Sequence, residues 1–380
     1  MKTAIINATI VMPDHLIPKA AIVIENGIIV DFGKKISTED CEIFDAEGLY
    51  VGPGLVDVHT HAGGGDLFSV APENASKLLL SHGVTTVLPA LYFSSNRDEL
   101  ISEAKKIKAA AESGECDNIY GLYMEAPYMN PSFGANKESC PWRNEIKAED
   151  YMPLLEALSG FAKVYALAPE RKNILDFVID AKKVDPNVRF AVGHSEAEPC
   201  DIEQCIPYGL CFATHHLNAT GTLQKYPECR TACVDETVQY NDSIYAELIC
   251  DKVGIHVSPY LLRLVKKIKG DDKIILISDA AVDYGPIPEG DLYEGATDIN
   301  FDFSGEISGS KMILDGSCRN MMIHTGASLC QIFKYASRNP AKALGLSDRG
   351  EIRVGAKADL VTVDAEFNVK NVFLAGKRVK

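Results

Sequence analysis

Residues 51–61 read VGPGLVDVHTH. Two glycines and a proline open the stretch, a short apolar run follows, and the run ends in His59-Thr60-His61. A short apolar run bounded by turn residues reads as a buried strand. Side chains on an extended strand repeat every two residues, so His59 and His61 point the same way and can chelate one ion together. The fold depends on whether further strands end in the same manner.

Seven do follow. The runs Val84–Leu88, Ile119–Glu125, Val164–Leu167, Arg189–His194, Cys211–His215, Ile244–Ile249 and Lys273–Asp279 join Leu55–His59 as eight strand candidates. Helical stretches lie between them, among them Arg97–Glu112, Lys172–Val184 and Pro259–Ile268. Alternating strands and helices point to a parallel β/α architecture, and eight units fit a closed (β/α)8 TIM-like barrel. An open doubly wound sheet is the structural alternative. It would bring a glycine-rich nucleotide turn, and neither GxGxxG nor a P-loop pattern occurs.

The two chain ends differ from this body. In AAIVIENGIIVDF (20–32), Asn26-Gly27 separates two apolar runs, a strong hairpin signal. The C-terminal ADLVTVDAEFNVKNVFLAGKRV also alternates, with a turn near Gly376. The expected organisation is a small β-sandwich domain formed by both ends, residues 1–50 plus 347–380, around a barrel of 51–346.

Composition bounds the function. The chain has 380 residues, 46% hydrophobic and 24% charged, with a net charge of −15. So acidic a chain has no electrostatic footprint for nucleic acid or an anionic membrane surface. No apolar stretch reaches the 18 residues a bilayer span needs. MKTAIINATIVMPD lacks a signal-peptide core, and the 11 cysteines are scattered without a Cys-x-x-Cys pair. The expectation is a cytoplasmic protein with reduced thiols.

Five strand candidates end in a histidine or carboxylate: His59-Thr60-His61, Glu125, His194, His215 and Asp279. In a barrel these ends converge on one mouth. Four histidines and two carboxylates form a nitrogen/oxygen site suited to Zn²⁺, or to Fe²⁺, Co²⁺ or Mn²⁺. The ligands suffice for one or two ions, with Glu125 as the bridge. His216 should point to the opposite face and pack. His256, in GIHVSP, can reach the mouth from its loop or can be structural. His15, His82, His324, Trp142 and Met321-Met322 read as ordinary packing.

VGPGLVDVHTH, GLYMEAPYMNP (121–131), ALAPE (166–170), VGHS (192–195), ATHHLNA (213–219) and LISDA (276–280) occur in the order seen in the amidohydrolase superfamily. With GEISGS (305–310), RNPAKALGL (338–346) and GEIRVGAKADLVTVD (350–364), the chain resembles the N-acetylglucosamine-6-phosphate deacetylase family over nearly its whole length. The resemblance implies metal-dependent hydrolysis of the acetamide of N-acetylglucosamine 6-phosphate by a homodimer. It places metal ligands at Glu125, His194 and His215, the acid/base aspartate at Asp279 and the substrate-carbonyl histidine at His256. Retention of His59 and His61 implies ligands for a second ion.

For the substrate, the resemblance assigns the phosphate to Asn218-Ala219 and the loop over the sugar to Ile307, Ser308 and Gly309. Three positions depart from the family. Lys225 stands where an arginine from the partner subunit would reach the phosphate, Ala135-Asn136 replaces a pair ending in histidine, and Ala126 replaces a glycine. The alternatives are another N-acetylhexosamine or its phosphate as substrate, or a catalytically silent metal-binding scaffold.

Overall fold

The computed structural model describes every residue except Met1, Asn136, Asp283 and Tyr284. Its centre is an eight-stranded parallel sheet whose strands are β1 (Leu55–Thr60), β2 (Val84–Tyr92), β3 (Leu122–Glu125), β4 (Ala162–Leu167), β5 (Arg189–Val192), β6 (Leu210–Ala213), β7 (Tyr245–Ile249) and β8 (Ile274–Ile277). The strands pair in sequence order from β1 to β8. Each is followed by a helix, from Pro72–Ser81 after β1 to Leu314–Thr325 after β8. Strands covered on both faces read as continuous apolar runs, and β8 (IILI) is buried throughout.

The seam between β1 and β8 closes just beyond the last rungs. Asp279 N–H donates to the His59 carbonyl at 2.9 Å, and His61 N–H donates to the Ala280 carbonyl at 2.9 Å. Deeper in the seam, Ser278 Oγ–H donates to Asp57 at 2.6 Å. The backbone bonds that complete the barrel therefore belong to the residues whose side chains face its mouth.

Local chemistry explains the surrounding elements. The helix Arg97–Glu112 starts at a capping box, with Asn96 Oδ1 accepting from Asp98 N–H and Glu99 N–H while Glu99 accepts from Asn96 N–H. The hairpin Leu16–Glu25/Ile28–Gly33 turns at Asn26 (φ 50°) and Gly27 (φ 81°), the left-handed pair a tight hairpin requires. Tyr50–Pro53 pairs antiparallel with Leu360–Val363, which joins the two chain ends into one eight-stranded sheet reaching to Pro53. Ile29 N–H donates to the Ala356 carbonyl, and Ala358 N–H to that of Gly27, so the far hairpin returns onto the C-terminal strands. The sheet thereby wraps a single apolar cluster that includes Ile10, Ile22, Val51, Leu360 and Phe373.

Packing at the strand tips is tight. A Cβ on Gly193, which precedes His194, would lie 2.5 Å from Thr214 Cβ. Gly193→Ala should lower the unfolding free energy by about 1–3 kcal/mol through overpacking. The urea midpoint should fall with the m-value unchanged.

Candidate metal centre and active site

Glu125 ends β3 and projects into the barrel mouth, 3% exposed. Its Oε1 lies 2.8 Å from His194 Nε2 and 3.0 Å from His215 Nε2. Its Oε2 lies 3.1 Å from His61 Nε2 and 3.9 Å from His59 Nε2. Asp279 Oδ1 completes the second set, 3.4 Å from His61 Nε2 and 3.6 Å from His59 Nε2. Two nests result, one of His59, His61 and Asp279 and one of Glu125, His194 and His215, with ligand atoms in each within 4.8 Å of one another.

The three ligands after β5, β6 and β8 sit past the strands rather than on their last residues. His194 (φ 45°), His215 (φ 30°) and Asp279 (φ 45°) each lie two residues beyond a strand end, in left-handed backbone. Such conformations cost of order 1–3 kcal/mol for residues other than glycine and persist only where the surroundings over-determine them. Here the turn aims each side chain at the barrel axis. Gly134 (φ 94°) closes over one ring so tightly that a Cβ there would meet His194 Nδ1 at 2.6 Å.

The donor set fits divalent cations. His61 Nδ1 is held by the Ala90 carbonyl at 3.1 Å and His215 Nδ1 by the Asn218 carbonyl at 3.3 Å, which leaves Nε2 of each ring for the mouth. His59 Nε2 is fully buried and has no hydrogen-bond partner among the described residues. The electrostatics agree. Burial disfavours charge on the His59 imidazole, yet Asp279 and Glu125 raise its pKa well above the ordinary value. Burial opposes ionisation of Glu125 as well, but the four histidines hold its carboxyl well below the usual range. The mouth attracts positive charge.

Asp279 is held in its carboxylate form. Burial would raise its pKa, but His59 and His61 outweigh that and keep it low. His256 faces the same cavity from the loop after β7. Its Nδ1 is 3.1 Å from Asp251 Oδ2, and its Nε2 has no partner among the described residues. Asp251 also accepts from the N–H groups of Val253, Gly254, Ile255 and His256, and so shapes the loop. Burial alone would raise the Asp251 carboxyl, but His256 and these backbone donors bring it down to about 2.

A cavity of about 430 Å³ opens onto the centre. Its walls include Ala135, Asn218, Ala219, Ile307, Ser308 and Gly309 together with His61, Glu125, His194, His215, His256 and Asp279. Gly309 (φ 66°) lies against strand-tip backbone, where a Cβ would meet the Asp279 carbonyl at 2.4 Å. His59 sits beneath the cavity floor. Lys225 is not brought to it. This residue lies exposed on the small hairpin Gln224–Tyr226/Cys229–Arg230, and Arg230 of the same hairpin pairs with Glu236 at 2.9 Å. Short polar strands with no apolar face to bury hold that hairpin outside the barrel. Asn136 falls outside the described residues.

His216 packs behind the site, where burial pushes its imidazole down to about 3. Sequence reasoning missed Asp251 and Glu247. The latter is fully buried in β7 with its carboxylate 3.5 Å from His59 Nδ1. A lone acid inside the apolar run YAELI was the available signal.

The amidohydrolase family model matches residues 50–379. This chain belongs to that family. Among relatives, the N-acetylglucosamine-6-phosphate deacetylase of Bacillus subtilis is 29% identical over 385 residues, 93% of this chain and 94% of the relative. The N-acetylgalactosamine-6-phosphate deacetylase of Escherichia coli O157:H7 is 27% identical over 348 residues, 88% of each chain. The crystal structure of the Pasteurella multocida N-acetylglucosamine-6-phosphate deacetylase shares the fold at a TM-score of 0.84 and 24% identity, covering 100% of this chain and 99% of that one. A Mycobacterium smegmatis mutant in complex with N-acetyl-D-glucosamine-6-phosphate does so at 0.81 and 23%, with the same coverage. No helix among the described residues is long and apolar enough to cross a membrane.

Two consequences of Asp251 are measurable. Its lowered pKa contributes about 2 kcal/mol of stability, present above the ordinary carboxyl value near 3.8 and lost as pH falls through about 2. Asp251→Ala should abolish that acid-side dependence and cost about 2–4 kcal/mol at neutral pH by stranding buried donors. Urea titrations at several pH values check both.

Proposed function

We propose that this amidohydrolase hydrolyses the acetamide of N-acetylglucosamine 6-phosphate to glucosamine 6-phosphate and acetate. The observation that carries the reading is the convergence of Asp279 and the unpartnered His256 Nε2 on one cavity above the nests bridged by Glu125. Hydrolysis of an amide needs a base for water, an acid for the amine and a stabiliser for the oxyanion. The names of the relatives supply the substrate class.

His59, His61 and Asp279 would hold one divalent ion and Glu125, His194 and His215 a second, with Glu125 shared. When bound, the metal supplies a Lewis acid that acidifies a water and polarises the acetyl carbonyl. Asp279 accepts the water's proton on a carboxylate oxygen and returns it to the nitrogen as the C–N bond breaks, because an amide nitrogen leaves poorly without it. His256 presents Nε2 to the developing oxyanion while Asp251 fixes its ring. Asn218 and the Ala219 N–H face the phosphate, and Ile307, Ser308 and Gly309 cover the sugar. Nitrogen and oxygen donors favour Zn²⁺, with Fe²⁺, Co²⁺ and Mn²⁺ as the alternatives.

A second reading, N-acetylgalactosamine 6-phosphate, is favoured by the E. coli relative's name and by the departures at Lys225 and Asn136. Acetate release from both phosphorylated sugars and free N-acetylglucosamine, run beside elemental analysis, separates the readings. No acetate from any of them in the presence of Zn²⁺ or Fe²⁺ would leave only the silent scaffold.

Asp279→Asn should reduce turnover by at least roughly 10²-fold, the span general acid–base groups supply. Metal content should survive better than activity. Near-normal turnover would remove Asp279 from the chemistry.

The cavity walls carry no lysine or arginine among the described residues. Our reading therefore has a cytoplasmic homodimer in which Lys225 from a second copy meets the phosphate. A charge-assisted contact of about 1.5–3 kcal/mol predicts that Lys225→Ala raises KM for the phosphorylated sugar about 10- to 150-fold. Turnover should hardly change. The free sugar should be indifferent, and equal effects on both sugars would exclude the contact.

A further inference from the structure

Glu247 has no part in the chemistry above, yet it is the carboxylate buried directly beneath it. It belongs to β7 and is 0% exposed. Its Oε2 lies 3.5 Å from His59 Nδ1 and 3.4 Å from the Tyr123 hydroxyl, while Oε1 has no partner among the described residues. Tyr123 in turn lies 2.8 Å from Thr214 Oγ1, and its ring stacks on His59 with centroids 4.4 Å apart at 23°. A buried carboxylate with an unsatisfied oxygen is costly unless a nearby positive charge compensates it.

The direction of the hydrogen bond decides what Glu247 does. A carboxylate only accepts, so His59 Nδ1 must donate to it, and the neutral ring that a metal ion requires then presents its lone pair on Nε2. That lone pair converges with Glu125 Oε2 at 3.9 Å and Asp279 Oδ1 at 3.6 Å, two further acceptors. Three acceptors with no donor between them define a cation position. The other rings are held differently. His61 and His215 rest on backbone carbonyls, and His194 Nδ1 has no partner among the described residues. A carboxylate behind a ligating imidazole raises its basicity and fixes its tautomer.

We infer that Glu247 is a positioning residue for the nest of His59, His61 and Asp279, so that the ion held there depends on it while the ion at Glu125, His194 and His215 does not. The inference rests on the two-nest metal reading and is independent of the sugar. Together with Tyr123 and Thr214 it forms a polar floor that locks one histidine of the mouth.

The test is metal binding by Glu247→Gln and Tyr123→Phe, with Zn²⁺ as the probe, in equilibrium dialysis against chelator-buffered metal. Wild type should hold two ions. Glu247→Gln should hold one normally and bind the other about 10- to 100-fold more weakly. The ion-stripped variant should melt no lower than ion-stripped wild type, because a neutral amide removes a buried charge. Retention of both ions at wild-type affinity, or parallel loss of both, would overturn the inference. If the amide variant fails to fold, Tyr123→Phe decides: the same ion should weaken roughly 2- to 10-fold, the worth of one hydrogen bond, and unchanged affinities would overturn it. A wild type holding fewer than two ions defeats the two-nest reading and this inference together. Two ions with no acetate released defeats the deacetylase reading alone.

Discussion

The carboxylate of Glu125 is shared between two pairs of imidazoles, and the rest of the mouth is arranged around that sharing. Nδ1 of His59, His61 and His215 each faces an acceptor, so the neutral rings turn Nε2 lone pairs toward this carboxylate, which cannot hydrogen-bond to them. Placed on different elements, the rings would spread apart to relieve the crowding. The barrel prevents this. His59 and His61 come from one strand tip, His194 and His215 from two left-handed turns, and neighbouring strands hold all four tips in register. Desolvation makes the cluster costly as bare ionised groups, and positive charge at the centre relieves the cost. The fold is thus built to keep a cation-seeking arrangement from relaxing.

The same constraint explains why closure and chemistry meet in one place. The β1–β8 seam is joined by backbone bonds between His59 and Asp279 and between His61 and Ala280. A shift of either strand would separate Asp279 from the histidines it faces. Asp57 and Ser278 buttress this seam one layer below, where burial raises the Asp57 carboxyl to about 7 despite its hydrogen bonds. Barrel stability and site geometry are one quantity at this seam.

Much of this was legible in the sequence because it depends on local periodicity. The His-x-His spacing, the apolar runs and the polar residues at their ends need only the two-residue repeat of a strand and the convergence of a barrel. The Asn26-Gly27 hairpin is similarly local. What could not be read depends on pairing between distant segments. The left-handed turns at His194, His215 and Asp279 arise from packing against neighbouring tips, so runs that look like strands up to the ligand end two residues early. Glu247 looks like one acid in an apolar strand until β7 is set opposite β1. Lys225 was expected near the site from the resemblance, but its short exposed hairpin has no apolar face with which to dock against its own barrel. That both chain ends contribute to one sheet was expected from their alternating runs, whereas the strands that join them, Tyr50–Pro53 and Leu360–Val363, carry no local mark of the pairing.

The overall charge of this chain and the charge at its mouth act over different distances. The net charge of −15 acts over the surface, but screening confines its reach to about 8 Å at physiological ionic strength. Inside that distance the cavity walls carry no lysine or arginine among the described residues. At its rim, Lys137 and Glu306 pair at 3.0 Å across the two loops that carry Ala135 and Ile307. Both partners are substantially exposed, 34% and 47%, so the pair holds the loops with well under about 1 kcal/mol. The rim gains little from this pair, whereas the segment at Ile307–Ser310 is tied to the barrel by the Ser310 N–H bond to the Asp279 carbonyl at 2.8 Å. Charge at the mouth is then set at short range by whatever compensates the buried carboxylates below.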